Sequence, residues 1–412
     1  MNEPKLRFKA DDGSQFPDWK EKKIGELGIF TKGAPLSKAD ISDCGTPLIL
    51  YGELYTTYNE VAYDIQRRTQ STVDEKYYSL VGDVVIPTSG ETAEEISTAT
   101  CVMAQNVILA GDLNIYRSDI VDGRIMSYIL NHQAKWKIAT LAQGKSIVHI
   151  QAAQLSDVAI KYPPSTVEQQ KIAFLFTELD TLIQSAEKEL EGYRELKEGM
   201  LQKMFPKKGE KVPEIRFPEF TGDWEQHKLG EVAPLRGGYA FKSDKYKTEG
   251  TPIVRISNIL SDGSVGAEFA YYDDIEDDKK CTLGNGDALL AMSGATTGKV
   301  SILKCNNNDK YYQNQRVGYF ERNEQYNYGF VSTIVRSDLF KEQLTLVLVA
   351  GAQPNVSSKE IDAFEFMFPN SIVEQKKIGE YFSNLDNLIA LQQQELDGYK
   401  ELKKGLLQQM FC

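Results

Sequence analysis

The chain repeats itself, and no other feature constrains its fold as much. The segment from Glu168-Gln-Gln-Lys-Ile172 to Leu196-Lys-Glu-Gly-Met-Leu-Gln-Lys-Met-Phe205 returns as Glu374-Gln-Lys-Lys-Ile378 to Leu402-Lys-Lys-Gly-Leu-Leu-Gln-Gln-Met-Phe411. The copies align without a gap, share 21 of 38 residues and lie 206 positions apart, which is half of the 412-residue chain. The chain is a duplicated unit.

The repeat also covers turns outside this segment. Asp18-Trp19 recurs as Asp223-Trp224, Gly45-Thr-Pro-Leu-Ile49 as Gly250-Thr-Pro-Ile-Val254, and Gly82-Asp83 with Ser89-Gly90 as Gly286-Asp287 with Ser293-Gly294. Each half reads as a globular domain followed by a long helix. Residues between the shared turns differ: Leu50-Tyr-Gly-Glu53 stands where the second half has Arg255-Ile-Ser-Asn258.

The helix reading rests on spacing. Ile172, Phe176, Leu179, Ile183, Ala186, Leu190, Tyr193, Lys197, Met200 and Met204 step by four and three, as a coiled-coil seam does. The second seam is Ile378, Phe382, Leu385, Ile389, Gln392, Leu396, Tyr399, Lys403, Leu406 and Met410. A lysine at the same seam position in both costs stability but fixes register. Ser165-Thr-Val-Glu168 and Ser371-Ile-Val-Glu374 read as capping boxes, and Pro163-Pro164 and Pro369 end the preceding strands. At about 1.5 Å per residue such a helix is a rod of roughly 57 Å. Duplication favours pairing of the two helices within one chain over their use as a dimerisation element.

The expected fold class is therefore α+β: two α/β domains in a pseudo-twofold repeat, joined by two long helices forming an antiparallel coiled coil. Expected boundaries are 1–162, 163–206, 207–368 and 369–412, with 1–17 an N-terminal segment. Strands are expected at Thr46–Tyr51, Asp83–Pro87, Asp287–Met292 and Lys299–Leu303. Arg124 to Leu141 and Gly329 to Val349 read as helical.

A hydrophobic content of 41% supplies cores for two or three domains. The apolar stretch Leu344 to Ala350 is too short to span a bilayer, and the polar start Met1-Asn-Glu-Pro-Lys5 lacks a signal-peptide core, so a cytoplasmic location is expected. Five scattered cysteines and three histidines offer no zinc-ligand spacing, and no metal is expected. A net charge of −12 leaves nucleic-acid binding undecided. Residues 168–205 hold eight acids against five bases, while Lys242, Lys245, Lys247, Arg255, Lys299 and Arg316 sit in a globular part, where they also suit an ordinary solvated surface.

Catalytic motifs fail on inspection. Gly294-Ala-Thr-Thr-Gly-Lys299-Val300 is one residue short of a phosphate loop and has Val300 where a hydroxyl should bind magnesium. Gln143-Gly-Lys-Ser146 is preceded by Ala139 where the first glycine belongs. Tyr162-Pro-Pro-Ser165 lacks the arrangement that grips a flipped base, and no hydrolase elbow is present.

The paired segments Pro163-Pro164…Glu168-Gln-Gln-Lys-Ile172…Leu179-Asp180…Leu196-Lys-Glu-Gly-Met-Leu-Gln-Lys-Met204 and their copies at 374 to 411 carry a family resemblance. With Gly250-Thr-Pro-Ile-Val-Arg-Ile-Ser-Asn258, Gly286-Asp-Ala-Leu-Leu-Ala-Met-Ser-Gly294 and Asn314-Gln-Arg-Val317, the chain resembles specificity subunits of type I restriction-modification systems over essentially its whole length. The resemblance implies a non-catalytic DNA reader whose two target-recognition domains each read half of a split, asymmetric site. The paired helices then act as a ruler for the spacer.

The implied partners are double-stranded DNA, two modification subunits that methylate adenine N6 with S-adenosylmethionine, and restriction subunits using ATP and magnesium; no cofactor is implied on this chain. In the family pattern Arg255, Ser293-Gly294 and Gly351-Ala-Gln-Pro-Asn355 face DNA, with Tyr51, Ser89-Gly90 and Gly144-Lys-Ser146 as first-half counterparts. By chemistry, Arg255, Arg316 and Lys145 suit guanine or phosphate, and Asn258, Gln353 and Asn355 suit adenine edges. Leu50 and Met292 depart from the family's basic residue and are poor phosphate contacts. The seam residues Ile172, Phe176, Leu179, Ile183, Leu190, Tyr193, Ile378, Phe382, Leu385, Ile389, Leu396 and Tyr399 would serve helix pairing and partner docking. A rival reading is an acidic two-domain protein-interaction scaffold without DNA specificity, separable by the salt dependence of retention on DNA or heparin.

Overall fold

The computed structural model describes residues 4–144, 147–350 and 355–411. The chain divides into two compact units, residues 1–187 with 394–412, and residues 188–393. Each contains one globular domain, the first part of the long helix that follows it, and the last part of the other long helix. The long helices span Thr166–Lys203 and Ile372–Phe411.

In the first unit a five-stranded sheet runs in the order Ile29–Lys32, Leu113–Arg117, Asp83–Pro87, Thr100–Val102, Val61–Ala62. Beside it, Thr46–Leu50 pairs in parallel with Ile108–Ala110 and antiparallel with Arg68–Thr69. The second unit repeats the plan with Leu235–Gly237, Val317–Phe320, Ala288–Ala291 and Val300–Ile302, and with Thr251–Val254 parallel to Tyr311–Gln313. The repeated Gly-Asp turns enter the central strands. Gly82 and Gly286 adopt positive φ (95° and 82°), which a side chain would disfavour. The buried Asp83 and Asp287 that follow are ion-paired to Arg117 and Arg322.

Each domain core is closed by the Met-Phe end of a long helix. Phe411 packs with Trp19, Tyr128 and Phe176 in the first unit, and Phe205 with Trp224, Phe330 and Phe382 in the second. Of the predicted seam, Ile172, Phe176, Leu179, Leu190, Ile378, Phe382, Leu385 and Leu396 are buried, and Ile183, Tyr193, Ile389 and Tyr399 are half-buried. No helix among the described residues is long and apolar enough to cross a membrane.

The seam lysines pair across the helices. Lys403 Nζ lies 2.9 Å from Asp180 and 2.8 Å from Glu60 in the first unit; Lys197 lies 2.6 Å from Asp386 in the second, where Arg336 meets the same carboxylate at 2.6 Å. Because Lys400 meets Glu187 while Lys403 meets Asp180, numbers rise on one helix as they fall on the other, and the pair is antiparallel. Burial would raise the Glu60 carboxyl, but the His132 hydrogen bond and the Lys403 charge outweigh it and bring it down to about 2. Burial dominates at Asp180 and raises its carboxyl despite Lys403.

One local expectation changes. The expected capping boxes are half used: Ser165 and Ser371 accept from the amides of Glu168 and Glu374, but the glutamates turn away. The buried Glu168 carboxylate is gripped by Arg7 at 3.0 Å through both oxygens, and Glu374 by Arg216 at 2.7 and 2.9 Å. A two-pronged charge-assisted bond is stronger than a neutral return bond to the cap. The neighbouring Gln169 and Gln375 tie the strand end to the domain helix, donating to Pro163 and Pro369 and accepting from Asp122 and Asn327.

The stretches read as helical are helical, each divided in two: Gly123–Asn131 with Lys135–Leu141, and Tyr328–Ile334 with Asp338–Ala350. Asn131 ends the first by bonding both ways with Ala99, and Ser337 ends its counterpart by donating to the Ile334 carbonyl.

Two outcomes follow. Lys403→Ala strands two carboxylates and is expected to cost about 3 kcal/mol in urea unfolding, most of it recovered by combining Lys403→Met with Asp180→Leu and Glu60→Leu. Glu60 has a depressed folded pKa, so its stabilisation is full above the ordinary value of 4.5 and is lost as pH falls toward 2. Glu60→Gln should therefore flatten the acid side of the unfolding-midpoint profile.

Candidate nucleic-acid interface

Among the described residues, those expected at a ligand border one end of each domain's strands, where matching backbone bonds are made. In the first unit Thr88 N donates to Asp112 O, Ala34 N to Leu109 O, Gly111 N to Ala34 O, and Ile150 N to Thr88 O. In the second, Met292 N donates to Arg316 O, Tyr239 N to Gln313 O, Gln315 N to Tyr239 O, and Val356 N to Met292 O. The same four bonds made twice equate Thr88 with Met292, Asp112 with Arg316, and Ile150 with Val356. Ser89 opposite His149 then matches Ser293 opposite Asn355.

On the first domain, Tyr51 packs edge-on against Tyr55 at 6.3 Å, and Tyr55 donates to the Ser89 carbonyl at 2.8 Å. Burial, reinforced by Glu95, raises the Tyr55 hydroxyl, so it remains a donor. Ser89 and Gly90 are buried, and the Ser89 hydroxyl donates to the exposed Asp112 carboxylate at 2.8 Å. Gly144 is exposed, while Lys145 and Ser146 lie outside the described residues. The pairing of Thr46–Leu50 with Ile108–Ala110 places Leu50, not Tyr51, opposite Arg255 in the repeat; Tyr51 matches Ile256. Leu50 is buried and Met292 half-buried, as apolar residues here should be.

On the second domain, Arg255 is half-buried, donates to the Glu268 carbonyl at 3.1 Å and leans toward the Tyr246 ring. Asn258 is fully buried. It accepts from Arg255 N and donates to the carbonyls of Gly266 and Glu268, so it shapes the turn instead of presenting its amide to an adenine. Glu53 does the same work in the first domain, accepting from Leu50 N. Ser293 is buried, Gly294 is exposed beside Ile256, and Arg316 and Asn355 are exposed; Gln353 lies outside the described residues. Among the described residues the Arg316 guanidinium has no hydrogen-bond or salt-bridge partner. The failed phosphate loop is a short 3-10 turn at Gly294–Thr296 leading into a strand, with Lys299 donating to Ser261.

Sequence reasoning missed Asp112, His149 and Tyr239. Asp112 and His149 carry a signal only once aligned with Arg316 and Asn355 across strand register; Tyr239, half-exposed, is fixed by its bonds to Gln313 and Gln315. The two ends thus share a frame and differ in chemistry: Asp112 against Arg316, Leu50 against Arg255, His149 against Asn355. Exposed donors and acceptors at strand ends can meet base edges, and the arginines can also meet phosphate.

The model of the family "Type I restriction modification DNA specificity domain" matches residues 17–192 and again 221–400. The chain is 26% identical over 414 residues to the type I restriction enzyme MjaVIII specificity subunit of Methanocaldococcus jannaschii, covering 97% of this chain and 94% of that protein. In fold it is similar to the crystal structure of a type I restriction-modification S subunit from M. genitalium, with a TM-score of 0.69 at 15% identity, covering 100% of this chain and 99% of that one. A chain from a type I restriction-modification assembly matches with a TM-score of 0.52 at 15% identity over 96% of this chain and 98% of that one.

Proposed function

Because this chain belongs to the type I restriction modification DNA specificity domain family, and carries the domain twice, we propose that it reads a split, asymmetric DNA site, one half per domain, for a complex that modifies and restricts DNA. It is a specificity subunit and not itself an enzyme. The observation that carries the split-site reading is the retained frame with exchanged tips: four backbone bonds made twice hold Asp112 in one domain where Arg316 stands in the other. Two equal half-sites would not call for opposite charges at one position.

In this reading Arg316, Arg255, Asn355 and Gln353 face the second half-site. Tyr51, Asp112, His149, Lys145 and Ser146 face the first, while Ser89, Gly90, Ser293, Gly294 and Asn258 shape the turns beneath. S-adenosylmethionine, ATP and magnesium belong to partner subunits in the cytoplasm.

Two copies of a modification subunit are supported by apolar side chains that the repeat keeps exposed. Val167, Leu182 and Leu402 lie on the first unit, and their equivalents Val373, Leu388 and Leu196 on the second, each 40–56% exposed. In sequence Leu402 precedes Lys403 and Leu182 follows Asp180 by two, as Leu196 and Leu388 do for Lys197 and Asp386. Exposed leucines kept at identical positions mark docking patches, and a patch made twice suits the same partner twice.

The founding experiment co-expresses the chain with its modification subunit in a methylation-free host and maps N6-methyladenine. A bipartite motif that disappears without this chain is expected; a stable complex with no methylation would return weight to a scaffold. Arg255→Ala and Arg316→Ala should each weaken the second half-site by about 1–3 kcal/mol and leave the first unchanged, as read by binding to DNAs altered in one half. Leu182→Glu with Leu402→Glu should remove one modification subunit by native mass spectrometry while shifting unfolding by no more than about 0.5 kcal/mol.

A further inference from the structure

The first domain's strand end carries a carboxylate where the second carries a guanidinium. Thr88 N–Asp112 O at 2.8 Å and Met292 N–Arg316 O at 3.0 Å are the same bond in the repeat, and both residues stand immediately before the strands Leu113–Arg117 and Val317–Phe320. Both side chains are exposed. Asp112 takes part in none of the salt bridges among the described residues, and its Oδ2 is oriented by the Ser89 hydroxyl at 2.8 Å.

We propose that Asp112 is a specificity determinant for the first half-site, its free carboxylate oxygen accepting from the exocyclic N4 amino group of a cytosine at the position where Arg316 meets a guanine in the second. This rests on the DNA-reading function proposed above. A carboxylate on a surface facing DNA is repelled by every phosphate, so its favourable partners are amino groups on base edges. In the major groove cytosine offers N4 beside a C–H, whereas adenine offers N6 beside the N7 lone pair, which a carboxylate avoids; thymine and guanine offer no donor there. Arg316, with a fork of donors, suits the O6 and N7 of guanine. One backbone frame with opposite charges at its tip therefore selects opposite members of a G·C pair. Ser89 is a positioning residue in this scheme, since its hydroxyl occupies one carboxylate oxygen and leaves the other to the base.

The test compares wild type, Asp112→Asn, Asp112→Arg and Glu91→Gln, each co-expressed with the modification subunit in a methylation-free host, by base-resolved mapping of N6-methyladenine. The first half-site is identified as the one that Arg316→Ala leaves unchanged. Wild type should require a cytosine at one position of that half. Asp112→Asn should reduce discrimination there about tenfold with the second half intact, Asp112→Arg should shift the preference to guanine, and Glu91→Gln, a nearby exposed acid, should change nothing. An unchanged cytosine requirement in Asp112→Asn, equal loss of both half-sites, or the same relaxation in Glu91→Gln overturns the assignment. A wild-type chain that directs no bipartite motif overturns the DNA-reading function and this assignment together, whereas a motif that Asp112→Asn leaves untouched overturns only the latter.

Discussion

Each domain of this chain is completed by a helix that begins in the other repeat. Phe411 joins Trp19, Tyr128 and Phe176, and Phe205 joins Trp224, Phe330 and Phe382, so neither aromatic core closes without the antiparallel pairing of the helices. The ion pairs Lys403–Asp180 and Lys197–Asp386 set that register, because a slip by one turn would leave charged groups facing apolar seam positions. Glu60 and Arg336 extend the pairs into the globular parts. Lysine at a seam position costs desolvation, and a unique register is what that cost secures.

On this base the domains separate frame from message. The frame consists of backbone bonds, Gly-Asp turns and buried acceptors such as Glu53 and Asn258, and it is retained through changes of side chain. In the proposed function the message sits on exposed residues whose identity affects stability little. Substitution at an exposed strand end is usually worth a few tenths of a kcal/mol to the fold, whereas a lost base contact is worth about 1–3 kcal/mol to recognition. Among the described residues the second domain presents the unpaired Arg316 guanidinium where the first presents an acid, on a chain of net charge −12.

Much of this was legible in the linear chain. The seam was, because a four-three spacing survives translation into three dimensions on a continuous helix. The duplicated Glu-Gln at each helix start was visible as a motif, but its job was not: capping-box spacing pointed to a return bond, and only the approach of Arg7 and Arg216, over 150 positions away, redirected the glutamates. Arg124 to Leu141 read as helical, but its spacing did not mark the break after Asn131, which depends on Ala99 coming within reach.

The sequence by itself determined the duplication, the helical seam with its lysines, the absence of a recognisable catalytic motif and the family resemblance, since all of these are properties of residue order. The tertiary structure decided which residues are equivalent at the strand ends and which are free. Asn258 proved to be committed within its turn, and Asp112 to stand where Arg316 stands in the repeat. Strand register is set by hydrogen bonds between segments far apart in the chain, and no local spacing encodes it.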